Sequence, residues 1–202
     1  MKIIFATGNE GKMKEIRMIL ADLGAEILSM KEAGITPDIE EDGLTFEENA
    51  VIKARAVHAF AKDAVVLADD SGLEVDYLDR QPGVYSSRYM GEDTPYEVKN
   101  AAIIRKLSGA AEHERTARFV CVIAAALPDG RILTSQGVIE GMIAYKPAGE
   151  EGFGYDPIFY VPDFHATTAE LTPEQKNAVS HRGKALRAMK RKLSRYIEEY
   201  ER

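Results

Sequence analysis

Short apolar runs alternate with stretches in which apolar residues recur every three or four positions, and this alternation predicts strands joined by helices. Residues 2–6 read as a short buried strand, followed by the polar loop Thr7-Gly8-Asn9-Glu10-Gly11. From Lys12 onward Met13, Ile16, Ile19 or Leu20, and Leu23 fall on one helical face, and Gly24 is placed to end the helix. Residues 26–30 predict a second strand and residues 35–43 an acidic loop. Thr45 and Glu48 have the spacing of a capping box, opening a helix with Val51, Ala54, Val57 and Phe60 on one side. The run Ala64-Val65-Val66-Leu67-Ala68 predicts a buried strand that ends on Asp69-Asp70-Ser71-Gly72.

Further on, Thr94-Pro95-Tyr96-Glu97 predicts another capping box with proline at the first helical position, leading a helix to about residue 107. Residues 115–127 and 131–139 read as strands joined at Pro128-Asp129-Gly130. Thr172-Pro173-Glu174-Gln175 repeats the cap-and-proline device, and a final helix buries Leu186, Met189, Leu193 and Ile197. A β-α-β opening with a later hairpin implies an α/β fold, a mixed sheet covered by helices. No linker or repeat interrupts residues 1–202, so one domain is expected.

Composition narrows the classes. A formal charge of −7 argues against general affinity for a nucleic-acid backbone, yet leaves room for one phosphorylated small molecule on a local basic cluster. Cys121, the single cysteine, lies in an apolar run and predicts core packing in a reducing, cytoplasmic setting. The apolar start is too short for a signal peptide, and no apolar run reaches membrane-spanning length, so a soluble protein without membrane or nucleic-acid partners is expected.

Four segments carry candidate chemistry. Thr7 to Lys12 is a strand-loop-helix junction whose free N–H groups, with the Lys12 charge, suit a phosphate, although an ordinary turn capped by Asn9 has the same pattern. The acidic loop Asp38, Glu40, Glu41 and Asp42 reads as a solvated surface or, beside Asp69 and Asp70, as a cation site. Adjacent carboxylates on a strand face opposite ways, so one of the pair can face a ligand and take a proton from water. In Gly152-Phe153-Gly154-Tyr155-Asp156-Pro157, Phe153 or Tyr155 could stack on a planar ligand or pack in the core. Finally, Lys176 and Ser180-His181-Arg182 place cations where a helix begins, which the helix dipole disfavours unless an electron-rich partner is near. Lys53 faces phosphate or solvent.

Taken in order, these segments resemble the house-cleaning nucleoside triphosphate pyrophosphatases acting on ITP, dITP and XTP. The matching residues are Ala6-Thr7-Gly8-Asn9 with Lys12 and Glu15, Glu40-Glu41-Asp42-Gly43-Leu44-Thr45-Phe46 with Glu48-Asn49-Ala50 and Lys53, and Ala68-Asp69-Asp70-Ser71-Gly72-Leu73. Pro82-Gly83 with residues 86–88, Gly152-Phe153-Gly154-Tyr155-Asp156-Pro157, Glu170-Leu171, Lys176 and Ser180-His181-Arg182 complete the set.

The resemblance implies an elongated mixed β-sheet flanked by helices, two lobes with a nucleotide cleft between them, and a homodimer. It implies that Thr7, Gly8, Asn9, Glu10, Gly11, Lys12, Lys53 and Ser71 bind the triphosphate. Asp70 is then the general base and, with Glu40, a ligand of Mg²⁺; Glu41 and Asp69 are further metal candidates. Phe153, Gly154, Tyr155, Asp156, Lys176, His181 and Arg182 form the base pocket, with Arg182 donating to a 6-oxo group. The expected reaction yields a nucleoside monophosphate and pyrophosphate. A pyrophosphatase of other nucleotides, or a nucleotide sensor without turnover, are the alternatives. The chain departs from the family where glycines are common, with Asp79-Arg80-Gln81 before Pro82 and Glu150-Glu151 before Phe153.

Overall fold

The computed structural model describes residues 1–200. The described helices are α1 (Glu10–Leu20), α2 (Phe46–His58), α3 (Tyr96–Lys106), α4 (Pro173–Val179) and α5 (His181–Tyr200). The strands are β1 (Lys2–Phe5), β2 (Glu26–Ser29), β3 (Val65–Val75), β4 (Gln81–Pro82), β5 (Thr116–Ala126), β6 (Ile132–Ile143), β7 (Phe159–Val161) and β8 (Ala166–Thr167). They hydrogen-bond in the order β2-β1-β3-β5-β6-β7-β8, with β4 on β3. β1 is parallel to β2 and β3, whereas β3–β4, β6–β7 and β7–β8 are antiparallel, so the expected mixed α/β sheet is present.

The chain divides into two compact units. The first comprises Met1–Asp70, Cys121–Gly137 and α5. Its core joins Ile3 and Phe5 of β1, Met13, Ile16 and Leu20 of α1, Val65 and Leu67 of β3, Cys121 and Ile123 of β5, and Leu186, Met189 and Leu193 of α5. Cys121 is fully buried, and burial pushes its thiol up to about 12, which makes it inert packing. The start of α5 lies hard against β6. The Ser135 hydroxyl donates to the Ala185 carbonyl at 2.9 Å, and a Cβ on Gly137 would sit 2.1 Å from the His181 carbonyl oxygen. We expect Gly137→Ala to cost about 3 kcal/mol through this backbone clash, a fall of about 6–12 °C in a thermal melt. An unchanged melt would mean that α5 is not seated through this contact.

The second unit comprises Ser71–Val120 and Val138–Ser180. Its core gathers Leu73 and Val75 of β3, Ile103 and Leu107 of α3, Phe119 of β5, Ile139 and Ile143 of β6, and Tyr155, Ile158 and Phe159. The buried Arg115 guanidinium donates to the carbonyls of Ile143, Leu107 and Ala144, meeting the negative end of α3.

Several expected elements differ from those observed. β3 does not stop at the Asp pair; it continues through Asp-Ser-Gly to Val75, because Leu73 and Val75 supply a second apolar stretch for the second unit's core. The capping box expected at Thr94 is absent: α3 begins after Pro95 without a side-chain cap, and the Thr94 hydroxyl donates to the Met90 carbonyl. α1 starts at Glu10 rather than Lys12, since the Asn9 side chain accepts from the Lys12 N–H. Phe60 is exposed because α2 ends at His58, before the position that would have buried it. Extended Ser180 separates α4 from α5. The capping boxes at Thr45 and Thr172 form as expected. Asp79 and Arg80 take φ of 50° and 63°, a left-handed conformation that is strained for side-chain-bearing residues.

Candidate active site

In the first unit, β3 presents Asp69 and Asp70, and its pleat sends them to different partners. Asp69 is 1% exposed. Its carboxylate accepts from Lys12 Nζ at 3.0 Å and from Arg182 Nε and Nη2 at 3.4 and 3.2 Å. Arg182 Nη1 also donates to Glu15 at 2.6 Å. Lys12 and Glu15 lie three residues apart on α1, and Arg182 is in the first turn of α5, so two helices close on one carboxylate. Burial opposes ionisation of Asp69, but the Lys12, Arg182 and Lys53 charges outweigh it and hold this carboxyl far below the usual range.

Asp70 meets α2 instead. It accepts from Lys53 Nζ at 3.1 Å and Asn49 Nδ2 at 3.3 Å, two residues one helical turn apart. Lys53 Nζ also donates to Glu41 at 2.8 Å. The Asn49 amide oxygen accepts from the Gly43 N–H at 2.9 Å, so this residue ties the acidic loop to Asp70. A Cβ on Gly43 would lie 2.6 Å from that oxygen, which is why glycine sits there. Burial raises the Asp70 carboxyl above its ordinary value despite Lys53, giving it a stronger hold on a proton. Burial disfavours the Lys53 cation, but Asp70, Asp69 and Glu41 more than restore it, keeping it protonated.

Gly8 and Asn9 before α1 and Glu10 and Gly11 in its first turn are exposed, while the Thr7 hydroxyl accepts from the Asn9 N–H at 3.2 Å. First-turn N–H groups have no carbonyl one turn earlier to bond, so this end of α1 attracts anions.

In the second unit, Asp156 organises the Gly-Phe-Gly segment. Its carboxylate accepts from the Phe153 N–H at 2.8 Å, from Lys176 Nζ at 2.8 Å and from the Thr168 hydroxyl at 2.8 Å. Gly152 has φ of 82°, and a Cβ there would lie 2.3 Å from Asp156 Oδ2. Lys176 Nζ stands 4.8 Å from the centre of the partly exposed Phe153 ring.

Tyr155 is buried: its hydroxyl donates to the Ser86 carbonyl at 2.7 Å, and Tyr96 meets its ring edge-on at 5.3 Å. Of the two aromatics, Phe153 is the more exposed. Asn100 of α3 donates to the Gly154 carbonyl at 3.1 Å, and Lys99 to the Ser87 carbonyl at 2.6 Å. Removing the first of these bonds in Asn100→Ala should loosen the Phe153 turn by about 1 kcal/mol, raising KM roughly fivefold with little change in kcat. An unchanged KM would show that the turn holds without α3.

The sequence-derived candidates thus separate into two groups. Lys12, Lys53, Asp69, Asp70 and Glu41 meet in the first unit, and Phe153, Gly154, Tyr155, Asp156 and Lys176 in the second. Glu40 is exposed, and Glu41 is the loop carboxylate that shares Lys53 with Asp70. The Asp69 carboxylate is engaged by Lys12 and Arg182. Arg182 closes on Asp69 and Glu15, two carboxylates that account for a cation at the start of α5. His181 is buried at the start of α5, and Ser71 is partly buried on β3.

Sequence reasoning assigned no role to Asn49, Glu15, Asn100 or Thr168. The signal for Asn49 was legible: with Lys53 it forms an i, i+4 polar pair beside Ala50, Ala54 and Val57, the buried side of α2. No helix among the described residues is long and apolar enough to cross a membrane.

The model of the Ham1 family matches residues 3–192. The chain belongs to the Ham1 family. A dITP/XTP pyrophosphatase of Exiguobacterium sp. is 50% identical over 198 residues, covering 98% of this chain and 100% of that one. The dITP/XTP pyrophosphatase of Bacillus subtilis is 48% identical over 195 residues, 96% of each chain. Among solved structures, a HAM1 protein from Coxiella burnetii superposes with a TM-score of 0.87 at 43% identity, covering 96% of this chain and 99% of its own. The Staphylococcus aureus Ham1 protein gives 0.85 at 41% identity, covering 96% and 98%. The matched residues fall in both units and include every candidate site residue.

Proposed function

We propose that this Ham1 chain hydrolyses non-standard purine nucleoside triphosphates (ITP, dITP and XTP) to the monophosphate and pyrophosphate, acting as a cytoplasmic homodimer. The observation that carries the reading is the half-buried Asp70 carboxylate, oriented by Lys53 and Asn49 beside Glu41. It stands in a chain half identical to a dITP/XTP pyrophosphatase over nearly its whole length.

Asp70 takes the proton of the attacking water as general base; its burial-raised affinity for protons suits that task at neutral pH. The junction from Thr7 to Lys12 that opens α1, and the Lys53 ammonium, receive phosphate oxygens. The buried Lys12–Asp69–Arg182–Glu15 network fixes α1 and α5 around β3 rather than reacting.

The donor set fits Mg²⁺. Asp70 and Glu41 are two hard oxygen ligands, partly exposed, and that ion prefers a couple of carboxylates completed by water and phosphate oxygens. When bound it supplies charge neutralisation for the developing phosphate charge. In the second unit, Phe153 offers a face for the base, worth roughly 1–3 kcal/mol of stacking. Lys176 can only donate hydrogen bonds. It therefore favours the 6-oxo acceptor of a purine over the 6-amino donor of adenine.

Pyrophosphate release from ITP, dITP, XTP, GTP, ATP and dTTP, with and without Mg²⁺, tests the proposal. The expected result is turnover of the first three, dependent on the metal. Equal turnover of all six, or binding without release, would overturn it.

A further inference from the structure

Two carboxylates within reach of one another are unstable unless a cation stands between them. In this chain that cation is Lys53. Its Nζ lies 2.8 Å from Glu41 Oε2 and 3.1 Å from Asp70 Oδ1, the oxygens that the proposed function gives to Mg²⁺. The stem rises from the buried side of α2, and the neutral Asn49 amide donates to the other oxygen of Asp70. A lysine is suited to such a place: it is a point charge on a flexible four-carbon stem, and its N–H groups donate to a phosphate oxygen as readily as to a carboxylate.

We propose that Lys53 is an internal counter-cation that occupies the metal position until nucleotide arrives. An ammonium hydrogen-bonded to both carboxylates and a divalent ion ligated by them cannot coexist at one point, since each would meet the other's charge at contact distance. In the nucleotide-free protein the lysine therefore keeps the pair neutralised and suppresses metal binding. A triphosphate draws the ammonium onto its oxygens and adds ligands of its own, so the metal binds with nucleotide and not before it. This rests on the metal assignment above, but it assigns Lys53 a task that phosphate binding alone does not include: holding the carboxylates together and closed to metal.

The two roles separate under substitution. If Lys53 only bound phosphate, its removal would leave metal affinity of the nucleotide-free protein unchanged. If it only propped the fold, its removal would scatter the carboxylates and weaken metal binding.

The test is a Mn²⁺ titration of the full chain without nucleotide at pH 8, followed by the electron paramagnetic resonance signal of the free ion. The isosteric neutral variant Lys53→Met should bind Mn²⁺ at least tenfold more tightly than the parent, and Lys53→Gln should do the same. Lys53→Arg, which keeps the charge, should stay as weak as the parent. The double variant Lys53→Met with Asp70→Asn should lose the gain, which ties it to this site. Thermal melts report folding of each variant, and the glutamine form serves where the methionine form melts early. Affinity in both neutral variants equal to or below that of the parent would overturn the proposal, as would tight Mn²⁺ binding by the parent alone. Because no turnover is read, a tightened variant stands even if the nucleotide panel fails, and the panel can succeed while this test fails.

Discussion

Asp70→Asn should lose turnover of dITP by a factor on the order of 10²–10⁴ while binding the nucleotide within about tenfold of the parent. The amide preserves the size of the side chain and can still face Lys53 and Asn49, but it cannot take a proton from water. In the parent, burial raises the carboxyl's affinity for protons while the Lys53 charge opposes that rise. Single-turnover kinetics beside equilibrium binding separate the two effects. Turnover close to that of the parent would remove Asp70 from the base role, and a parallel collapse of binding would make it a nucleotide-binding group instead.

The second large effect concerns stability. Asp69→Asn should cost about 3 kcal/mol, because it leaves Lys12 and Arg182 facing a neutral group at a site that is 1% exposed. Arg182 keeps Glu15, and Lys12 is partly exposed, which keeps the loss at the lower end of the range for broken buried pairs. The expected change is a fall of about 6–12 °C in the melt.

The pH dependence has a definite sign. The folded-state carboxyl is depressed, so its contribution is fully present above the unfolded value of about 3.9 and is lost as pH falls below it. The difference between parent and variant should therefore be constant from pH 7 to about 5 and shrink progressively in stronger acid. A difference that stayed constant down to pH 2, or that grew in acid, would show that Asp69 is not held ionised by its cations.

The fold was legible where one residue type had one use. The apolar periodicity of α1, the capping boxes at Thr45 and Thr172 and the turn at Pro128-Asp129-Gly130 depend on local rules, and the structure obeys them. In α5 Leu186, Met189 and Leu193 are buried as expected, but Tyr196 takes the core position expected of Ile197. Sequence misled where a local rule met a tertiary demand. Asp69-Asp70-Ser71-Gly72 has the composition of a turn, yet Leu73 and Val75 pull the strand onward, and the cations on α1, α2 and α5 make the buried Asp69 and half-buried Asp70 tolerable in mid-strand.

The candidate residues were legible as types and as a set, but their partners were not. Arg182 looks like a free donor until Glu15, 167 positions earlier in the chain, is placed against it. The choice between Glu40 and Glu41 likewise depends on which side chain reaches Lys53.

Phosphorus NMR of dITP and dATP mixed in one tube with the protein and Mg²⁺ tests the central claim most directly. The account expects dITP to disappear first, giving deoxyinosine monophosphate and pyrophosphate in equal amounts while dATP persists. Release of inorganic phosphate with a nucleoside diphosphate, or equal loss of the two triphosphates, would contradict it.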